Sequence, residues 1–294
     1  MKLSQLRYFM SICKYNNFTH ASKELHISQP SLSNAIKELE DEFGVSLFYR
    51  LSKGVVLTEE GEYFYKETAK VLAQIDGLSS QMKALGKESH DVRLGVPPMS
   101  GALIFPHIFQ AFYTSFPNCK LNVWENGTRT NKTMVLDGTL DAAIISSKSS
   151  APEPSFDYCD LTTMDIFFYV SNQNPLANRP SISLSDLSNT PLALLADDSF
   201  LNNFLYQRYK ELELSPNVII KTNQLKTIQQ IIENNTAATL LFENTLDTNK
   251  NITKLPVAGL PTIQIRLIWN KDKMISAGTQ NLIRLIQAEF HSNS

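Results

Sequence analysis

The sequence predicts a helical N-terminal unit closed by a β-hairpin, one long connecting helix, and an α/β domain filling the C-terminal two-thirds. Three observations predict it. Apolar residues recur at helical spacing from Leu6 to Phe43. An apolar seam with alternating steps of four and three runs from Phe64 to Leu85. Beyond Val92, short apolar strands interleave with helical patterns. At 294 residues the chain has room for two or three units and for a core that needs no covalent staples.

The first helix carries Leu6, Phe9, Met10 and Cys13 on one face, with Ser4 expected as its N-cap. Asn16-Asn17 ends it. Thr19 is expected to cap a second helix, in which Ala21 and Leu25 share a face. His26-Ile27 forms a short turn, and Ser28 caps a third helix, where Pro30 fits because first-turn N–H groups lack intrahelical partners. In the third helix Leu32, Ala35, Ile36, Leu39 and Phe43 line one side. The other side presents Gln29, Pro30, Ser33, Asn34 and Lys37, then turns acidic at Glu38, Asp41 and Glu42. Polar side chains of this length suit base edges and phosphates, and a helix N-terminus attracts phosphate. Two helices joined by a tight turn, the second polar at its outer N-terminal end, form a helix-turn-helix. The alternative is a plain three-helix core with a solvated polar face. Val45–Arg50, a turn at Leu51–Gly54 and Val55–Thr58 then read as a hairpin. With Arg50 and Lys53 near its tip, the hairpin is a wing that can grip the flanking DNA backbone.

Thr58 is expected to cap the connecting helix, with Glu59, Glu60 and Glu62 favourable near its N-terminal dipole. The seam comprises Phe64, Val71, Ile75, Leu78, Met82 and Leu85, interrupted by Thr68. So narrow a stripe suits pairing with a second copy, which would set two recognition helices about one DNA turn apart. The alternative is a helix lying on its own domain. Gly86–Asp91 is a polar linker.

The α/β segment contains expected strands at Val92–Val96, Leu121–Trp124, Ala142–Ile145, Ile166–Val170, Leu192–Leu195, Val218–Ile220, Ala238–Leu241 and Ile263–Trp269. Expected helices are Ala102–Phe116, Leu201–Leu214, Gln224–Glu233 and Thr279–His291. Ligands of such sheets bind where strands end and helices begin. Three strand ends are polar: Pro97-Pro98-Met99-Ser100, Asn126-Gly127-Thr128 and Ser146-Ser147-Lys148. Their hydroxyls and helix N–H groups suit a small anion such as a carboxylate. The plainer reading is that Ser100 caps its helix and Thr128 turns the chain.

Charge and composition narrow the classes. Net charge is −2, and residues 1–58 hold seven Lys/Arg against five Asp/Glu. The DNA argument therefore rests on where charges sit. Cys13, Cys119 and Cys159 are scattered and form no CxxC, which fits small hydrophobes in a reducing cytosol, with a redox switch as the alternative. Residues 1–20 contain no signal peptide, and no run approaches a membrane span, so a cytoplasmic protein is expected. No GxGxxG, Walker A, GxSxG or HExxH occurs and the histidines are dispersed; no enzyme, cofactor or metal is expected. A periplasmic binding protein would leave the first ninety residues unexplained. A DNA-binding architectural protein with a vestigial sensing domain is a further rival.

The residues resemble one family in detail. Leu6-Arg7-Tyr8-Phe9, Phe18-Thr19-His20-Ala21-Ser22, Leu25 to Ser33, Ile36-Lys37-Glu38-Leu39-Glu40, Gly44 to Phe48 and Leu57 to Gly61 match the DNA-binding domain of LysR-type transcriptional regulators. The resemblance implies that Gln29, Pro30 and Ser33 read the major groove and that Lys53 serves the wing. Asn34 departs from the Arg or Lys of many members. Lys37 and Arg50 are expected on phosphate. More loosely, Val92 to Pro98, Leu136 to Ala143 and Asn174 to Ala177 resemble the family's effector domain, two α/β lobes like those of periplasmic solute-binding proteins. The resemblance places an effector between the lobes, against Pro98, Met99, Ser100, Thr128 and Ser146 on one side and Phe200, Leu201 and Asn202 on the other. Asn234 to Phe242 departs from the commoner glycine-rich version. The implied organisation is a winged helix-turn-helix over 1–58, a dimerisation helix over 59–86 and an effector domain over 87–294. Lobe I takes about 92–162 and 268–294, and lobe II about 163–267. Implied partners are promoter DNA, a small-molecule effector, RNA polymerase and further copies of the chain, as a dimer or a dimer of dimers. A regulator without ligand control, or one controlled through a cysteine, is the alternative.

Overall fold

The computed structural model describes residues 1–51, 54–86, 91–148, 153–248 and 251–291. They divide into two compact units, Met1–Ser80 and Gln81–Ser294. Lys53, most of the 86–91 linker and the side chain of Leu85 lie outside the described residues.

The first unit opens with α1 (Leu3–Tyr15), α2 (Phe18–Glu24) and α3 (Gln29–Phe43). Two caps differ from expectation. α1 starts before Ser4, and the Gln5 side chain accepts the Lys2 N–H at 2.8 Å. α2 is capped by Asn17, not Thr19: its carboxamide oxygen accepts the Thr19 and His20 N–H groups at 2.8 and 3.0 Å. The Asn17 oxygen reaches two first-turn donors at once, and Thr19, already the second residue of the helix, supplies one of them. Ser28 caps α3 as expected, accepting the Ser31 N–H at 3.2 Å. Between α2 and α3, His26 takes φ 54°. Its N–H donates to the Lys23 carbonyl and the Ile27 N–H to the Ser22 carbonyl, so the tight turn closes on α2's own last carbonyls.

Phe9, Ile12, Leu32, Ile36, Leu39, Leu47 and Phe48 form this unit's core. The Phe9 ring lies 5.2 Å from Phe48 and 5.0 Å from Phe64. Phe43 does not join the buried face: it is 46% exposed at the end of α3, with its ring 5.8 Å from that of Phe64. The hairpin pairs β1 (Phe48–Leu51) with β2 (Gly54–Leu57) in antiparallel fashion. Pairing begins three residues after Val45 because a Glu40 carboxylate oxygen takes the Leu47 and Phe48 N–H groups at 2.7 and 3.4 Å. Gly54 has φ 103°, and a Cβ there would run into the Asn16 carbonyl. That same carbonyl accepts the Val55 N–H at 3.0 Å, fastening the wing to the end of α1. Thr58 caps α4 (Glu59–Gly86), accepting the Gly61 N–H at 2.9 Å while donating to the Ser46 carbonyl at 2.6 Å.

The second unit runs β3 (Val92–Val96), α5 (Pro98–Ser115), β4 (Leu121–Glu125), α6 (Thr128–Asp137), β5 (Ala142–Ser147) and β6 (Phe156–Met164). It then enters β7 (Ile166–Ser171), β8 (Leu192–Leu194), α7 (Phe200–Glu211), β9 (Val218–Lys221), α8 (Leu225–Glu233), β10 (Thr239–Phe242) and β11 (Ile252–Pro256). It returns through β12 (Ile263–Asn270) and ends with α9 (Ala277–His291). One five-stranded sheet has the order β4-β3-β5-β12-β6. β10-β7-β11 and β8-β9 form smaller sheets, bridged at Leu192 and Ala238. This second unit is thus two lobes, one inserted into the other.

Sequence reading missed β6, β11 and α6. β6 carries Asp157 and Asp160 at a sheet edge, and Asp160 is there to meet Arg266, 2.5 Å away on β12. α6 buries only Thr128, Asn131 and Val135, too few apolar residues to register as a stripe. All of β12 belongs to the five-stranded sheet, with Ile263 opposite Met164. The return crossing therefore precedes Ile263 and the outward one follows Met164.

Candidate functional site

In the first unit the polar side of α3 is open to solvent. Gln29, Pro30, Asn34 and Lys37 are exposed, and Ser33 is half-buried. Leu32, Ile36 and Leu39 on the opposite side are buried, so packing fixes which face α3 presents. The Arg50 guanidinium donates to Ser33 Oγ at 3.3 Å and lies 5.6 Å over the Phe18 ring. The hairpin and α3 are joined at that point, a link sequence reading did not anticipate. His20 and Thr19, exposed at the start of α2, share the solvent side of the unit.

Along α4, Val71, Leu78 and Met82 are 39%, 60% and 59% exposed, and Ile75 is half-buried. Phe64 differs from the rest of the seam: its ring packs on Phe9 and Phe43 within its own unit. The apolar stripe without a cover therefore begins at Val71.

In the second unit the N-termini of α5, α6 and α7 converge on one cavity of about 20 Å³. Its walls include Pro98, Met99, Ser100, Gly127, Thr128 and Ser146 from one lobe. Leu195, Asp198, Phe200, Leu201 and Asn223 come from the other. Helix N-termini aim first-turn N–H groups here without a cationic side chain in the lining, and at α6 the Asp198 carboxylate already accepts from two of these donors. Thr128 Oγ1 is buried and accepts the Ser146 N–H at 3.1 Å, so it does more than turn the chain. Ser100 is 1% exposed, and among the described residues its Oγ has no hydrogen-bond partner. It is the third residue of α5 and not its cap. Met99 reaches the other lobe, where its sulfur accepts the Phe242 N–H at 3.3 Å. Asn202 stands apart from the other predicted residues. Its amide donates to the Leu195 and Ala196 carbonyls, and it supports the wall from behind.

Sequence reading missed Asp198, Gly127 and Asn223 as wall residues. Asn223 Oδ1 accepts the Ala196 N–H at 3.0 Å, holding the segment that carries Asp198. Asp197-Asp198-Ser199 directly before a helix was the available signal, because such residues gather at helix starts.

No group of three or more His, Cys, Asp or Glu side chains suited to a metal occurs among the described residues. Burial raises the thiol of Cys13 to about 12 and that of Cys159 to about 11, and raises Cys119 as well. Cys119 precedes β4 and Cys159 lies on β6, at opposite edges of the sheet. Four strand spacings are about 19 Å, far beyond disulfide reach. No helix among the described residues is long and apolar enough to cross a membrane.

Comparison with known proteins agrees with this anatomy. Residues 3–62 match the bacterial regulatory helix-turn-helix protein, lysR family, and residues 86–291 match the LysR substrate binding domain. The HTH-type transcriptional regulator YtlI of Bacillus subtilis is 30% identical, across 100% of this chain and 96% of that one. The malolactic fermentation system transcriptional activator of Lactococcus lactis is 26% identical, across 98% of each. Full-length CbnR complexed with its target DNA has the same fold, with a TM-score of 0.67 at 18% identity over 98% of this chain and 99% of that one. The helix-turn-helix with its hairpin, the long connecting helix and the two-lobed α/β domain together place this chain in the LysR family of DNA-binding transcriptional regulators.

Proposed function

We propose that this protein binds promoter DNA as a homo-oligomer and changes its hold on that DNA when a small carboxylate effector enters the cleft between the lobes. The observation that carries this reading is the cavity itself: three helix N-termini and the Ser100 hydroxyl, without a partner among the described residues, face one small space. Pro98, Met99, Ser100, Thr128 and Ser146 contact the effector from lobe I. Phe200 and Leu201 contact it from lobe II, with Asn202 shaping the wall.

Gln29, Pro30 and Ser33 read base edges, and Gln29 suits adenine through its amide. Lys37, Arg50 and Lys53 take phosphates, and Asn34 tunes affinity where a cation would add another. Val71, Ile75, Leu78, Met82 and Leu85 form the dimer seam, and Phe64 anchors the helix to its own domain. β4 and β9 are edge strands with exposed Val123, Trp124, Ile219 and Ile220, which gives a second contact surface for a dimer of dimers. Effector binding alters the pose of the lobes, the spacing of the DNA-binding pairs, and so the contact with RNA polymerase in the cytoplasm. The ligand acts only through its preference for one pose. Regulation through a cysteine has less support, since all three thiols are pushed up by burial.

The test is a footprint on the promoter of the protein's own gene, repeated across a panel of mono- and dicarboxylates, with thermal unfolding alongside. The expected result is one carboxylate that raises the unfolding midpoint and alters the footprint, and that loses both effects in Ser100→Ala. A protected promoter unchanged by every member of a broad panel would remove ligand control and leave the DNA-binding reading.

A further inference from the structure

The chain supplies an anion of its own to the cleft. Asp198 ends the loop before α7, and its carboxylate crosses to the first turn of α6 in the other lobe. Oδ2 accepts the Gly127 N–H at 2.7 Å and Oδ1 accepts the Thr130 N–H at 3.4 Å. Two oxygens on two first-turn donors is how a bound carboxylate uses a helix N-terminus. Gly127 makes room for it. With φ −71° and ψ 169° its backbone is open to any residue, so conformation does not require a glycine there. Space does: a Cβ would collide with the carbonyl and the Cγ of Asp198. A second observation is independent. Ser100 Oγ lines the same cavity, is buried, and is without a partner among the described residues.

We infer that Asp198 is a tethered competitor, holding the carboxylate seat of the cleft until an effector carboxylate displaces it and also engages Ser100 Oγ. This rests on the reading of the cleft as the effector site. A tethered group acts at an effective concentration in the millimolar range or above. A free carboxylate must exceed that concentration to compete on equal terms, so a ligand with further contacts has the advantage at the seat. Displacement also cuts the bridge between α6 and the loop before α7. That gives the effector the unequal affinity for two lobe poses that control requires.

Acetate is the probe, because it is the Asp198 side chain detached at Cβ. The full-length protein is unfolded by heat in sodium acetate and in matched sodium chloride, as wild type, Asp198→Ala and Asp198→Asn. In Asp198→Ala the midpoint should rise by roughly 3–6 °C at about ten times the acetate Kd. Wild type should need more acetate for the same rise, by a factor of one plus the ratio of the tether's effective concentration to the acetate Kd found for Asp198→Ala. Asp198→Asn should fall between them, since a tethered amide is easier to displace than a tethered carboxylate. It carries the test alone if the alanine variant does not fold. An equal response in wild type, or no response beyond chloride in either variant, overturns the inference. Acetate reads the seat alone. If it fails while a panel carboxylate still moves the footprint, only the competitor falls. If the seat responds and nothing moves the footprint, effector control falls and the competitor stands.

Discussion

Replacing Ser100 by Ala should stabilise the unliganded protein, against the usual direction for a buried substitution. Ser100 Oγ is buried, and no described residue meets it. A buried hydroxyl in that state costs about 1–3 kcal/mol. The cavity beside it, about 20 Å³, has room for a single water, which offsets part of that cost. The gain on removal therefore belongs at the lower end, about 1 kcal/mol, or roughly 2–4 °C for a unit of this size. Thr128→Val gives the opposite sign from the same cavity. Its Oγ1 accepts the buried Ser146 N–H at 3.1 Å, and losing that acceptor should cost about 1–3 kcal/mol and lower the midpoint. The assay is thermal unfolding followed by circular dichroism, both variants against wild type without ligand. A midpoint for Ser100→Ala that drops by about 2 °C or more would show that the hydroxyl is already satisfied within the protein. Its availability to a ligand would then be refuted.

Other expectations follow from individual contacts. Leu78→Asp, at a 60% exposed position, should yield a folded monomer by analytical ultracentrifugation; a dimer persisting at micromolar concentration would count against the α4 seam. Gly61→Ala should cost about 1–3 kcal/mol in denaturant titration, because a Cβ there meets the Leu47 backbone carbonyl, which cannot swing aside; an unchanged midpoint would deny that close approach. Lys37→Gln should weaken all DNA alike and reduce the slope of log K against log salt by about one, whereas an unchanged slope would take Lys37 off the phosphates. The Asp186 carboxyl is held down to about 2, first by the Ser183 hydroxyl, then by the Ser183 N–H and Arg179. Its folded pKa lies below the unfolded one, so its stabilisation is complete above about pH 4 and is lost as pH falls toward 2. Asp186→Asn should flatten midpoint against pH in that window, and a wild-type slope there would exclude the contribution.

Legibility in the sequence tracked how local the cause was. α3 announced itself because Ser28, the Leu32-Ile36-Leu39 stripe and Gly44 all lie within one stretch of chain. The buried strands β3 and β5 were readable as short, mostly apolar segments. β6 was not, because its logic is held elsewhere: Asp160 makes sense only beside Arg266, more than a hundred residues later. Phe43 and Phe64 fitted their periodic patterns yet ended against each other, since they sit where two helices meet. At the cleft, Ser100, Thr128 and Ser146 were readable as polar strand ends. Asp198 was hidden because its role depends on which helix N-terminus it faces across the lobes.

The position of β12 governs how the second unit can be made. It lies between β5 and β6, which do not pair with each other. While the chain is still being synthesised, everything through β11 is available before β12 is. The inserted lobe can close on itself, but its host holds two unpaired strand edges, both open to a wrong partner. Pairing β12 closes both edges in one step, across a long loop whose ends must already be near each other. The last strand and α9 thus act as a commitment step, and a chain cut before Ile263 would present the cell with a finished inner lobe in an unfinished outer one.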